Sequence, residues 1–252
     1  MCVSWSTNAR NGDTALRTVG GRRVGNKILQ RMPQLEFEAL EPELEFVRLD
    51  LATSLQRERE PIEAVYFMNC GIASILIETA DGRSVEVGIA GREDMIGLQL
   101  AAGLEDPTHT LLIQVPGDGF RMQAPAIKRA LDSLPGLRRI LIRQLGIRSM
   151  QFAQNAACNR LHNTRQRLAR WILLTRDRID TDAISTTHEF LSKMVGTDRP
   201  SVSLALADFQ REGILVGGRG VICLLNRKKL EDHACECYEV FRQFNVEMGL
   251  IS

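Results

Sequence analysis

Residues 187–215, THEFLSKMVGTDRPSVSLALADFQREGIL, read as two short helices separated by a tight break. Thr186 or Thr187 can cap the segment HEFLSKMV, and Glu189 stands three residues after Thr186 in capping-box spacing. Gly196 ends this helix, because glycine accepts the left-handed backbone that closes a helix C-terminus. Asp198 can cap the next helix, and Pro200 in its first turn gives up only an N–H that would lack an intrahelical partner. Val202, Leu204 or Ala205, Leu206 and Phe209 supply the buried face, and Gly213 ends it. Two helices joined by so short a turn form a helix-turn-helix, and the polar start of the second is expected to lie in the major groove of duplex DNA.

Downstream, ILVGGRGVICLL reads as strand, glycine-rich turn and strand: a wing whose Arg219 would approach a backbone phosphate. NRKKLEDHACECYEVFRQF then closes the region as a single predicted helix, capped by Asn226 and apolar at Leu230, Ala234, Cys237 or Tyr238, and Phe241. Upstream, NTRQRLARWILLTRDRID is an amphipathic helix with Leu168, Trp171, Ile172 and Leu173 as core. Before it, proline-free Leu137 to Leu161 predicts one long helix, interrupted only by Gly146. Leu137, Ile140, Leu141 and Leu145 share one face, and Phe152, Ala153, Ala156 and Ala157 continue it. At about 37 Å by the helical rise, this helix is longer than a small barrel can cover. Pairing with a second copy of the chain is therefore expected, through Leu137, Ile140, Leu141, Leu145, Phe152 and Ala156.

Residues 46–124 follow a different grammar. FVRLDLATSL, AVYFMNCGIASILIETADGRSVEVGIAG and HTLLIQVPGDGFRMQ are rich in β-branched and aromatic residues, and ADGR between ASILIE and SVEVGI is a hairpin signal. Two strands are expected around Pro116 and Gly117, and many short strands at close spacing predict a small antiparallel barrel or jelly roll. Residues 1–27, rich in Gly, Arg, Ser and Asn, read as a mobile tail.

A chain of 252 residues has length for two cores. The net charge of +1 hides an asymmetry: residues 31–135 carry 9 basic and 18 acidic side chains, residues 136–229 carry 17 and 7. An acidic half joined to a basic half is the distribution expected when one domain meets phosphate. No apolar run suits a membrane span or a secretory signal, so a cytoplasmic location with no membrane partner is expected. The six cysteines form no CxxC pair and are expected to remain mostly reduced. Cys235 and Cys237, two apart on a predicted helix, would face different ways, which argues against a shared metal. His109, His162, His188 and His233 are scattered and no HxH occurs, so no catalytic metal, no cofactor and no enzymatic activity are expected.

Taken together, VYFMNCGIASI, VEVGIAGREDMIGLQL and IQVPGDGFRM in the roll, with the helix-turn-helix stretch, resemble the Crp/Fnr family of bacterial transcription regulators over about residues 30–240. The resemblance implies an α+β protein: an antiparallel β-roll of jelly-roll, cyclic-nucleotide-binding-like type over 28–135, a dimerisation helix over 136–161, and a winged helix-turn-helix over 162–245. It implies a homodimer reading pseudo-palindromic double-stranded DNA, with RNA polymerase as a further partner and an effector that stays open. The family's base-reading positions fall on Arg199, Pro200 and Leu204. Arg199 can make a bidentate contact to guanine, whereas Pro200 and Leu204 have no hydrogen bond to offer a base. Ser201 and Ser203 are small hydroxyls suited to phosphate or base, and Thr187 would bring a helix N-terminus to a phosphate. In cyclic-AMP-binding relatives a glutamate holds the ribose and an arginine the cyclic phosphate. Leu98 stands at the first position here, and His109, Thr110 and Leu111 lie around the second, so no cyclic nucleotide is expected. A small-molecule-gated regulator and a winged helix that meets protein are the alternatives.

Overall fold

The computed structural model describes residues 17–247 apart from 83, 180 and 219. The fold starts earlier than the glycine-rich composition suggests. Strands β1 (Thr18–Val19) and β2 (Arg22–Arg23) form a small hairpin, followed by helix α1 (Lys27–Arg31). Val19 and Val24 are buried, and the Asn26 side chain caps α1 while donating to the carbonyls of Met68 and Asp94. Residues 17–27 therefore belong to the folded domain, a correction to the tail expected there. Residues 1–16 lie outside the described residues.

After α2 (Gln34–Leu40), the roll is built from β3 (Glu45–Leu49), β4 (Ser54–Gln56), β5 (Ala64–Glu78), β6 (Ser84–Ala90) and β7 (Thr110–Gln123). The antiparallel order is β3-β7-β5-β6, with β4 also paired to β7. The hairpin at ADGR joins β5 to β6, with Glu78 opposite Ser84. Instead of two strands around Pro116 and Gly117 there is one bent 14-residue strand. Glycine makes that continuity possible: a Cβ at Gly117 would sit 2.1 Å from the Cys70 carbonyl oxygen, and one at Gly119 2.4 Å from that of Phe67. The two backbones cross too closely for any larger residue.

Helix α3 (Ala124–Ser133) leads to α4 (Pro135–Leu161), 27 residues long, and then to α5 (Thr164–Ile179). The inward register of α4 runs Leu137, Leu141, Gln144, Arg148, Gln151, Asn155, Cys158. It begins apolar, inside the core that also holds Leu29, Phe37 and Ile127. Farther along it turns polar: Arg148 pairs with Asp94 and donates to the Ile89 carbonyl at 2.9 Å, while Asn155 donates to the Glu86 carbonyl at 3.4 Å.

The C-terminal domain contains β8 (Ala183–Ser185), α6 (His188–Val195), α7 (Arg199–Arg211), β9 (Leu215–Gly218), β10 (Val221–Leu224), α8 (Arg227–His233) and α9 (Cys237–Glu247). The wing sheet has order β8-β10-β9, so a third strand joins the expected pair. One core unites this domain with the roll, packing Ile72, Leu76 and Ile89 beside Trp171, Leu191 and Phe209. The single closing helix expected over the chain's end is in fact two. Ala234 takes extended backbone (φ −72°, ψ 152°), and a new turn starts where Tyr238 N–H donates to the Cys235 carbonyl at 2.9 Å. Cys235 therefore lies in a bend, and the argument that placed it and Cys237 on different helix faces fails.

Candidate nucleic-acid interface

Thr187, not Thr186, caps α6: its Oγ1 accepts from Phe190 N–H at 3.1 Å. Thr186 is buried and instead donates its N–H to Gly220 O at 2.8 Å, tying the helix start to the wing. Gly196 turns left-handed (φ 66°, ψ 49°), and Thr197 N–H closes back on Ser192 O at 3.0 Å. Three residues later α7 has begun. Asp198 caps it doubly, accepting from Ser201 N–H and Ser201 Oγ at 2.8 Å each. These bonds hold the Asp198 carboxyl below its usual range.

That cap settles the electrostatics of the helix start. With the Asp198 carboxylate occupied by Ser201, Arg199 is exposed and forms no ion pair among the described residues. Pro200 is exposed beside it, and Leu204 is 65% exposed one turn on. Val202, Ala205, Leu206 and Phe209 face inward, so the amphipathic pattern fixes which side of α7 looks out. Ser203 is half-buried: its Oγ donates to Arg199 O at 3.0 Å and lies 2.8 Å from His188 Nδ1. Both serine hydroxyls thus spend their protons inside the protein and face a ligand as acceptors. Thr187 is exposed, with the first N–H groups of α6 beside it. Arg219 lies outside the described residues.

Much of the positive charge of this half turns inward, a feature no sequence pattern announced. Arg178 meets Glu93 at 2.8 Å with both side chains almost fully buried, and Arg148 meets Asp94. Burial lowers the Arg148 pKa to about 10. Arg165 binds Asp208 and Glu212, and Arg227 binds Asp177 and Glu231. The acidic pair Glu93–Asp94 carries the signal in sequence, but nothing there names its partners.

Of the residues expected to pair two copies, Leu137 and Leu141 are fully buried against the roll. Ile140 and Leu145 pack partly against the same core, Phe152 packs against the roll interior, and Ala156 is exposed. The solvent-facing register of α4 is instead Ile142, Gly146, Ser149, Ala153 and Ala156, spaced four, three, four and three.

At the position where the family resemblance expects a glutamate, Leu98 is 6% exposed and belongs to the apolar core. Nearby, His109 Nε2 lies 2.8 Å from Gln99 Nε2, and burial lowers its pKa. Thr110 Oγ1 accepts from Glu58 N–H at 3.3 Å, and Leu111 is buried in the roll.

Roll, long helix and an outward-facing helix-turn-helix define a class, the DNA-binding transcription regulators with a cyclic-nucleotide-binding-like domain. Residues 166–233 match the family model of the Crp-like helix-turn-helix domain. The chain is 26% identical over 206 residues to the CRP-like cAMP-activated global transcriptional regulator of Mycobacterium tuberculosis, covering 77% of this chain and 91% of that one. Its fold is similar to FixK2 of Bradyrhizobium japonicum, with TM-score 0.66 and 18% identity over 76% of this chain and 98% of that one. It is also similar to a putative Crp/Fnr regulator of Eubacterium rectale, with TM-score 0.66 and 17% identity over 80% and 94%. Residues 166–233 thus form a Crp-like helix-turn-helix domain, in a chain whose sequence and fold are similar to Crp/Fnr transcription regulators.

Proposed function

We propose that this regulator works as a homodimer that reads pseudo-palindromic double-stranded DNA with the start of α7, without cyclic AMP or cyclic GMP. The observation that carries the DNA reading is the exposed Arg199, released from Asp198 by the Ser201 cap. A bidentate contact from Arg199 to guanine, with Thr187 beside a phosphate, the Ser201 hydroxyl as an acceptor toward a base amino group and Leu204 against a thymine methyl, is the arrangement this surface supports. Binding by purified protein is expected to weaken steeply with salt, log K falling by about 0.9 per log unit of salt for each phosphate contacted. Salt-insensitive binding would refute the reading.

Dimerisation through the outward stripe of α4 is supported by its heptad spacing and by Gly146, whose missing side chain leaves open space for a close partner helix. Independence from cyclic nucleotides is supported by Leu98 in the core and by the absence of an arginine at His109, Thr110 and Leu111. An anionic phosphate needs charged or well-directed donors when it leaves water. Calorimetry with cyclic AMP and cyclic GMP is expected to give no heat of binding; micromolar binding would overturn this part alone. The exposed apolar pair Pro200 and Leu204 favours one second reading, a winged helix that docks on protein. A stoichiometric protein partner retained in place of DNA would support it.

A further inference from the structure

Three of the six cysteines and one histidine converge from two distant parts of the sequence. Cys158 ends the inward register of α4, and His162 follows one turn later at the elbow into α5. Cys235 comes from the bend between α8 and α9 and Cys237 from the first position of α9, some seventy-five residues away. Their four ligand atoms all lie within 4.8 Å of one another. Cys158 and Cys235 sulfurs are 3.5 Å apart, and Cys237 Sγ is 3.6 Å from His162 Nδ1. We propose that Cys158, His162, Cys235 and Cys237 form a tetrahedral site for a thiophilic divalent metal ion, best suited to zinc, that staples the α4–α5 elbow to the end of the winged helix.

These two separations already match a tetrahedral site, and the remaining pairs, all within 4.8 Å, close onto a metal by about 1 Å of side-chain movement at most. Zinc–sulfur bonds of about 2.3 Å and zinc–nitrogen bonds of about 2.0–2.1 Å place tetrahedral ligands about 3.5–3.8 Å apart. Three thiolates and one imidazole are a closed, structural zinc donor set, leaving no position for substrate. All three cysteines are buried and His162 is half-buried, as a metal with no solvent ligand requires.

The surroundings fit as well. With Nδ1 turned to the sulfurs, His162 offers its other nitrogen to Glu236 Oε1 at 3.1 Å, the carboxylate–histidine relay that orients metal-bound imidazoles. Gln154 Nε2 donates to Cys237 Sγ at 3.0 Å, a bond that suits a ligating thiolate. Arg170 is buried beside the cluster and its charge acts on Cys158 and Cys235. It offsets the single negative charge left by three thiolates around one divalent ion. On binding, each thiol gives its proton to solvent and no electron moves.

Two alternatives share the same geometry: a reduced thiol cluster, and a Cys158–Cys235 disulfide formed by an oxidant. Native mass spectrometry and elemental analysis of the full-length protein, purified with reductant and given zinc, separate them. The proposal expects one zinc per chain, held against a weak chelator. Cobalt substitution is expected to give sulfur-to-cobalt charge-transfer bands and ligand-field bands of tetrahedral intensity. Cys235→Ser and Cys237→Ser should lose the metal, while Cys223→Ser, a free cysteine outside the cluster, should keep it. Glu236→Gln should weaken the affinity 10–100-fold, as outer-shell changes do. If the cysteine variants do not fold, the wild-type zinc and cobalt measurements still decide. No bound zinc after loading, cobalt without sulfur charge transfer, unchanged binding in the cysteine variants, or a metal-free protein carrying the disulfide would each overturn the proposal.

Discussion

At the scale of single residues, the proposed DNA reading concentrates on Arg199 and a pH response on Glu86. Replacing Arg199 with alanine is expected to relax preference at one base pair per half-site by about 1–3 kcal/mol while leaving the fold intact. Competition binding with single-base variants measures it. Glu86, on β6, is fully buried and accepts from Trp171 Nε1 of α5 at 3.1 Å, linking roll to winged helix. Burial pushes its carboxyl up to about 8 from an ordinary 4.5. Between those values the unfolded chain releases a proton that the folded chain keeps. Folding stability from this group therefore falls as pH rises through the window and levels off above it. Glu86→Gln keeps an acceptor for Trp171 and cannot ionise, so its Tm should decline less between pH 5 and 8. Parallel declines in both proteins would contradict this account.

At the scale of elements, helices with clear punctuation were legible and long-range partners were not. The helix-turn-helix could be read because Gly196, Asp198 and Pro200 act locally, each through backbone geometry within a few residues. The same local logic failed for α4. Its apolar residues are divided: Leu137 and Leu141 enter the roll core, whereas farther along the roll-facing side is polar because Asp94 and the Ile89 and Glu86 carbonyls wait there. Periodicity could not tell a partner copy from the protein's own roll. The proposed dimer face predicts that Ala153→Asp, on the outward stripe, yields monomers in sedimentation equilibrium without loss of helix content. The bent strand β7 was missed for a related reason. Whether Gly117 ends a strand or lets one pass another depends on Cys70, forty-seven positions earlier. Gly117→Ala should cost about 1–3 kcal/mol or more from forced backbone movement, read as a lower denaturation midpoint.

At the scale of the whole molecule, charge does two jobs. The basic surplus of the C-terminal half looked like a phosphate-binding footprint, yet Arg148 and Arg178 spend theirs on Asp94 and Glu93 of the roll. Removing one member leaves a buried charge unpaired, so Glu93→Gln should loosen the roll from the winged helix and lower Tm more than a surface change would. The cations left for DNA are fewer than the count implied, among them Arg199 and Lys193, both exposed on the helix-turn-helix itself. In the proposed reading, specificity then rests heavily on α7. The most direct test is the affinity of full-length protein for a genomic site it selects, measured across every single base-pair substitution, for wild type and Arg199→Ala. The account predicts two symmetric clusters of sensitive positions about 34 Å apart, with one position in each losing its sensitivity in the variant. An identical profile for both proteins, or no sensitive positions at all, would contradict it.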